Sequence, residues 1–346
     1  TMYNFYMSAP WNYEFKNNVF DQNVFNNTQS HLWLDPNCQG GMGALHNTNN
    51  NITSNQFYGG NIRMSEMKAL IKDNFFNVSN IGSAISTFDC NTAMGCFDTC
   101  GTDIRDNVFY SGLSAAPHGT VISIGADNCN VQNNTITMTA TLLDGIDVSG
   151  SASGTITQNN MGGSCSTGIA LFYSANSNTL SYNNITGCYF GIRFYGGQNN
   201  NVSYNNASAN GVNLWMTTGC NLGYESGHCT GNLIAGNYLQ YAPGGGGVGI
   251  STSGCASYYV TGNTFQDNVV TDNDYGLYVQ DYSPANTFSG NNYCNSGVYG
   301  VDAIATTEAT QTSALDTCNL NKCYQAGAYN LCDAIATPAN CSSSAC

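Results

Sequence analysis

One short pattern recurs along the chain: an apolar residue, two mostly polar residues, an asparagine, and a second apolar residue two positions later. It reads "IKDNFF" from residue 71, "IRDNVF" from 104, "VQNNTI" from 131, "ITQNNM" from 156 and "LSYNNI" from 180. It continues as "VSYNNA" from 202, "IAGNYL" from 234, "VTGNTF" from 260 and "FSGNNY" from 288. The aligned asparagines, Asn74, Asn107, Asn134, Asn159, Asn183, Asn205, Asn237, Asn263 and Asn291, stand 22 to 33 residues apart. "ITSNQF" from 52 and "FKNNVF" from 15 extend the series less regularly. A second, glycine-led element follows each asparagine, as in "GTVISI" at 119, "DGIDV" at 144, "GIALF" at 168, "GIRFY" at 191 and "GVNLW" at 211. Apolar residues in this element alternate with period two, which predicts short strands. Asn, Gly and β-branched residues dominate and no 3.6-residue stripe appears, so a helical reading fails.

Self-similarity at this period predicts a solenoid. The leucine framework of a leucine-rich repeat is absent. Short strands with an asparagine at each corner predict an all-β chain, a right-handed parallel β-helix. Its coils would stack at about 4.8 Å. Asparagine suits the corners because it tolerates left-handed backbone and its amide can bond along a ladder of like neighbours. The pattern resembles the pectin-lyase-like β-helix superfamily over residues ~15 to 304. Residues 1–14, "TMYNFYMSAPWNYE", form an aromatic N-terminal segment, and residues 305–346 read as a Thr-rich linker and a small Cys-rich tail. The tail holds Cys318, Cys323, Cys332, Cys341 and Cys346, an odd number, so one is expected to pair back into the helix, with Cys294 nearest.

Composition narrows the function. Only 8% of residues are charged, against roughly 25% in an average globular protein, so uncharged polar groups carry the surface. Hydrophobic residues make up 42%, enough for a sizeable core. The net charge is −14 with seven Lys and Arg. Nucleic-acid binding and attraction to anionic lipid both need clustered cations, and none cluster here. No apolar run approaches the roughly 18 residues of a membrane-spanning helix. Sixteen cysteines predict an oxidising compartment and up to eight disulfides. Eight glycosylation sequons, at Asn26, Asn51, Asn77, Asn133, Asn184, Asn201, Asn206 and Asn340, add to the picture of a secreted, extracellular glycoprotein. No cofactor and no metal site is expected.

Candidate chemistry lies on the glycine-led strands. With Ile146 and Val148 inward, Asp147 points out, and the same register exports Ser123, Asp147, Ala170, Arg193, Asn213 and Tyr278 in one column. The next outward column places Phe172, Tyr195 and Trp215 side by side, an aromatic row suited to stacking on sugars or on another protein. Phe172, Tyr195, Trp215, Arg193, Asn213 and Tyr278 are therefore candidate binding residues. Asp144 and Asp147 are the candidate acids. The "LLDG" that carries Asp144 resembles the Asn-Thr-Asp-Gly strand entry of polygalacturonases, which implies a catalytic role for Asp144. The Asp-Asp pair that this family carries one coil later is replaced by "GGSCSTGIAL". Its Gly-His-Gly and Arg-x-Lys are replaced by "YFGIRFYGG" and "ANGVNLW". Strand alternation predicts that Asp144 and Asp147, three residues apart, face opposite sides unless Gly145 bends the chain. His118, just before the neighbouring strand, is the best partner by register.

Two functions follow. The first is a secreted, N-glycosylated structural or interaction module of a cell surface, matrix or fibre, binding glycans or neighbouring subunits as an oligomer or filament. The second is a polysaccharide-active enzyme, a glycoside hydrolase rather than a lyase, because a lyase needs a cation beside the uronate and Arg193 with His118 is thin provision.

Overall fold

The computed structural model describes residues 5–8, 17–26, 31–35, 47–65, 67–78, 83–88, 101–112, 119–150, 152–173, 175–218, 227–242, 247–255, 257–280, 282–283, 285–294, 299–303, 317–319 and 322–323. These pack as two units, residues 1–166 and 167–346. Each is a parallel β-helix whose coils have three faces.

In the first unit, three-residue strands such as Asp103–Arg105, Asn130–Gln132 and Thr155–Thr157 pair in parallel to build the first face. Val108–Ser111 and Thr135–Thr139 belong to the second face, and Gly119–Gly125 and Leu143–Val148 to the third. The second unit repeats the scheme. Asn201–Ser203 and Leu233–Ala235 lie on its first face, Asn206–Ser208 and Tyr238–Gln240 on its second, Val212–Thr217 and Val248–Ser253 on its third. Parallel pairing continues through Thr317–Asn319 and Lys322–Cys323, past residue 304.

Asparagine ladders hold the corner between the first and second faces. In the first unit the ladder runs Asn23, Asn55, Asn74, Asn107, Asn134, Asn159, each backbone N–H donating to the next side-chain oxygen at 2.9–3.0 Å. In the second it runs Asn183, Asn205, Asn237, Asn268, Asn291. A parallel ladder five residues earlier in each coil links Asn178, Asn200, Asn232, Asn263 and Asn286. Two expectations change here. Asn263 belongs to this earlier ladder and Asn268 takes its expected place, because "FQDNVV" from 265 fits the pattern as well as "VTGNTF" does. Likewise Asn18 pairs with Asn50 in the earlier column, and Asn23 opens the main one. The left-handed backbone also falls elsewhere than expected. It belongs to the residue before each ladder asparagine, such as Ser54, Asp106, Tyr182 and Tyr204, with φ between 56° and 58°. The ladder residues are there for their amides, which satisfy buried backbone groups that would otherwise be stranded at the turn.

Three-residue strands such as Asp103–Arg105 and Thr155–Thr157 each send one side chain into the core, and longer strands such as Leu143–Val148 send several, stacked on their equivalents. Phe25, Phe57, Phe76 and Phe109 form a column of nearly parallel rings with centroids 4.5–4.7 Å apart. Phe265 and Phe288 repeat it in the second unit at 4.8 Å. Such pairs contribute roughly 0.5–1.5 kcal/mol each beyond the area they bury.

Cys129, Cys165, Cys188 and Cys255 are disulfide-bonded, whereas Cys229 is a buried free thiol. With Cys229 reduced, fifteen of the sixteen cysteines remain, so the expected eight disulfides within the chain become at most seven. The side chain of Cys294 and the tail cysteines lie outside the described side chains.

Candidate active site

The third face bends at its glycines. Paired register is kept on both sides of Gly145, Gly191 and Gly249 but is interrupted at each. A bend resets the in-out alternation of a strand, and it decides how the two candidate acids sit. Asp144, before Gly145, is in register with Thr120, while Asp147, after it, is in register with Ser123. The Thr120 hydroxyl nonetheless donates to Asp147 Oδ2, so Asp144, Thr120 and Asp147 share one side of the strand. The expectation of opposite faces is thus corrected by the bend that it named as its exception.

Electrostatics at the pair is unfavourable for two ions. Asp144 is 6% exposed and Asp147 half-buried. Burial, first, and the neighbouring Asp144 charge, second, push the Asp147 carboxyl well above the usual carboxylate range, and the Thr120 hydrogen bond only partly offsets them. Asp147 Oδ1 is buried with no hydrogen-bond partner among the described residues. A carboxyl that holds its proton more tightly than usual beside a second carboxyl is the arrangement used for general acid chemistry. His118, the third expected member, lies outside the described residues.

In the second unit, Arg193 projects from the third face into a cage of rings. Its guanidinium carbon lies 4.0 Å from the centroid of Phe190, 4.2 Å from Tyr195 and 4.2 Å from Trp215. Desolvated cation–π contacts of this kind contribute up to about 2 kcal/mol each. Phe172 stacks on Tyr195 at 4.8 Å and 2°.

The expected row of three rings is only partly formed. Trp215 stands in register with Arg193, two residues away from the expected pairing with Tyr195, because this coil is 22 residues long and not the 20 that separate the two glycines. Trp215 also donates from its indole nitrogen to Ser253 at 3.1 Å. Tyr195 is 4% exposed. Asn213 leaves the outward column altogether: it is fully buried and donates to Asn273 and to the Gln240 carbonyl. Tyr278 keeps its place in the Arg193 column, reached through Trp215 and Ser251.

Sequence reasoning missed Thr120, whose hydroxyl donates to Asp147, and Phe190, the third ring around Arg193. Both stand before or beside a glycine bend, where alternation misleads. Among the described sequons, Asn26, Asn77, Asn133, Asn184 and Asn206 are exposed and Asn51 and Asn201 half-buried, while Asn340 lies outside the described residues. Among the described residues no three His, Cys, Asp or Glu side chains gather to hold a metal ion, and no helix is long and apolar enough to cross a membrane.

Comparison with known proteins is informative about the fold. A search of curated protein sequences finds no match. The Dettilon tailspike protein is similar in structure, with a TM-score of 0.54 at 14% identity over 83% of this chain and 62% of its own. This chain therefore spans about three fifths of that protein. The A-module of the Azotobacter vinelandii mannuronan C-5 epimerase AlgE6 gives 0.45 at 11% identity, over 94% of this chain and 82% of its own. The catalytic domain of a GH87 alpha-1,3-glucanase gives 0.40 at 10% identity, over 92% and 64%. Residues 92–342 match the family model described as a right handed beta helix region. Parallel coils, corner ladders and that match over most of the chain together make it a member of the right-handed β-helix family.

Proposed function

We propose that the chain is a carbohydrate-interacting β-helix that cleaves glycosidic bonds, with Asp144 and Asp147 as its acid pair. The observation that supports this reading is their convergence beside Thr120. Two carboxyls side by side, one buried and one half-buried, oppose folding, and a scaffold has no use for them. A hydrolase does. In this reading the protonated Asp147 gives its proton to the glycosidic oxygen as the carbon–oxygen bond breaks, and the Asp144 carboxylate supports the positive charge on the sugar or activates the attacking water. The sugar left behind gains the water's hydroxyl, and the water's other proton returns to the carboxyl pair. Arg193, Phe172, Trp215 and Tyr278 are proposed to contact glycan on the third face of the second unit.

The test is release of reducing ends from neutral and acidic polysaccharides by the parent and by Asp147→Asn. Loss of at least about a hundredfold in rate, with an unchanged unfolding transition, is expected from removing a general acid. Equal rates in the two proteins would refute the assignment.

A second reading, a secreted glycoprotein serving as a structural or interaction module that binds glycans or neighbouring subunits, is favoured by the exposure of five sequon asparagines. Mass spectrometry of glycopeptides from the natural source decides it, and bare asparagines at all five positions would remove its support.

A further inference from the structure

The second unit carries an aromatic surface that the acid pair does not use. On its second face the outward positions of three successive coils are Asn184 and Thr186, Asn206 and Ser208, Tyr238 and Gln240, in register along the stack. None is charged. Tyrosines border this strip on both sides. Tyr182 and Tyr204 occupy the corner before it, 60% and 59% exposed, with rings stacked at 5.4 Å and 12°. Tyr189 and Tyr241 stand at the edge beyond it, 64% and 56% exposed.

Local structure makes the ledge. Tyr182 and Tyr204 hold the left-handed position before a ladder asparagine, at φ 56° and 57°, and so are turned outward at a corner fixed by the ladder. One coil further on the same position is Gly236, whose missing side chain leaves room for the Tyr204 ring: a Cβ there would lie 2.7 Å from it. Five large rings left in water on a small area are unfavourable unless something covers them.

We infer that this strip is a docking surface for a neutral polysaccharide, with tyrosine rings packing on sugar C–H faces and the amide and hydroxyl groups between them bonding sugar hydroxyls. Charge selects the occupant. Residues 167–346 hold nine Asp and Glu against Arg193 and Lys322, and Asp272 meets the strip at Gln240, so an acidic polysaccharide is repelled, while the strip's own uncharged side chains offer nothing to a cationic or anionic partner. A ring with a polar tip suits sugars, whose surfaces alternate apolar and hydroxylated patches. The inference rests on the carbohydrate-interacting reading above and extends it to the class of glycan that the second unit holds.

The experiment is electrophoresis in native gels containing hydroxyethylcellulose or galactomannan as neutral probes and polygalacturonate or alginate as acidic ones. The parent is expected to be slowed by a neutral probe and not by the acidic ones. Tyr182→Ser/Tyr204→Ser is expected to bind that probe about tenfold more weakly, the loss of two stacking rings. Both rings are exposed, so the unfolding transition should hold; Tyr241→Ser, at the opposite edge, gives a second reading of the same surface. Absence of retardation of the parent by both neutral probes, retention by acidic probes only, or unchanged binding in both variants overturns the inference. So do N-glycans on Asn184 and Asn206 in the natural protein, which would cover the strip themselves. Asp147→Asn is run in the same gels. Should it still release reducing ends like the parent, the catalytic reading fails while the docking surface is judged separately by its own variants.

Discussion

Replacing Asn237 by alanine tests the ladder as the element that holds successive coils together. Asn237 is fully buried, and its side chain makes four hydrogen bonds. Its oxygen accepts from the Asn205 backbone N–H at 2.9 Å and from the Asn205 amide at 3.0 Å. Its amide donates to the Val202 carbonyl at 2.8 Å and to Asn268 Oδ1 at 3.0 Å. At about 1 kcal/mol net per bond the loss is about 4 kcal/mol, and leaving the Asn205 N–H buried without an acceptor adds about 1–3 kcal/mol. That is a large share of the roughly 5–15 kcal/mol that stabilises a domain. In a solenoid the damage stays near the affected coil, so native-state hydrogen exchange at the Asn205 amide is the sharpest assay. A loss of 4 kcal/mol corresponds to about a thousandfold faster exchange through local opening. Asn206→Ala is the control. Asn206 is exposed, with a single amide contact to Asn184 at 3.1 Å, and its loss should stay within about 0.5 kcal/mol. Similar effects for Asn237→Ala and Asn206→Ala would refute the ladder's role.

Two further outcomes follow from buried titratable groups. The folded chain holds the Asp147 proton to higher pH than the unfolded chain does. Stability is therefore fully present below the ordinary carboxylate range and falls as pH rises toward the raised value, by about 1.4 kcal/mol for each unit of separation. Urea unfolding at a series of pH values should show a shallower loss in Asp147→Asn than in the parent, and identical slopes would be inconsistent with a raised carboxyl. Cys229 is buried, and burial raises its thiol to about 12, partly countered by a backbone hydrogen bond at Gly196. Iodoacetamide at mildly alkaline pH should label Cys229 only after unfolding, and labelling of the native protein at that residue, read by peptide mapping, would show that the thiol is reachable.

The repeat made the fold legible because a solenoid writes its architecture as period. Asn74, Asn107 and Asn134 each begin from the same apolar position, and the structure stacks them at one corner. Register failed where two corners carry the same signal: "VTGN" and "FQDN" stand five residues apart in one coil, and only pairing of Ile234 with Phe265 separates them. The candidate site was legible as residues and not as geometry. Period-two reasoning put Asp147 in register with Ser123 correctly. It could not place Asp144, because a glycine bend between the two acids changes which side each faces. The same kind of interruption moved Trp215 beside Arg193, and Gly-to-Gly alignment had no way to show it. Tyr182 and Tyr204 stand inside "SYNN", where nothing in the repeat marks them as exposed, since a left-handed position normally favours a small or amide residue.

Charge placement in a stacked coil explains why the acid pair stands apart. Parallel coils put each outward side chain about 5 Å from its equivalents above and below, so a carboxylate is best tolerated beside a donor. The chain follows this elsewhere. Asp21 accepts from the Thr53 hydroxyl at 2.7 Å, Asp103 from the Asn130 amide at 3.0 Å, Asp106 from Asn133 at 2.8 Å and Asp272 from Gln240 at 3.1 Å. Asp147 begins the same way with Thr120. Asp144 breaks the rule by adding a second carboxyl on the same side, 6% exposed, where asparagine would fill the space without repulsion. Asp144→Asn should therefore unfold at higher urea than the parent at neutral pH, while losing glycan cleavage, the usual opposition of stability and activity at a strained site. A variant that is less stable and fully active would mean that the Asp144 carboxyl belongs to the scaffold after all.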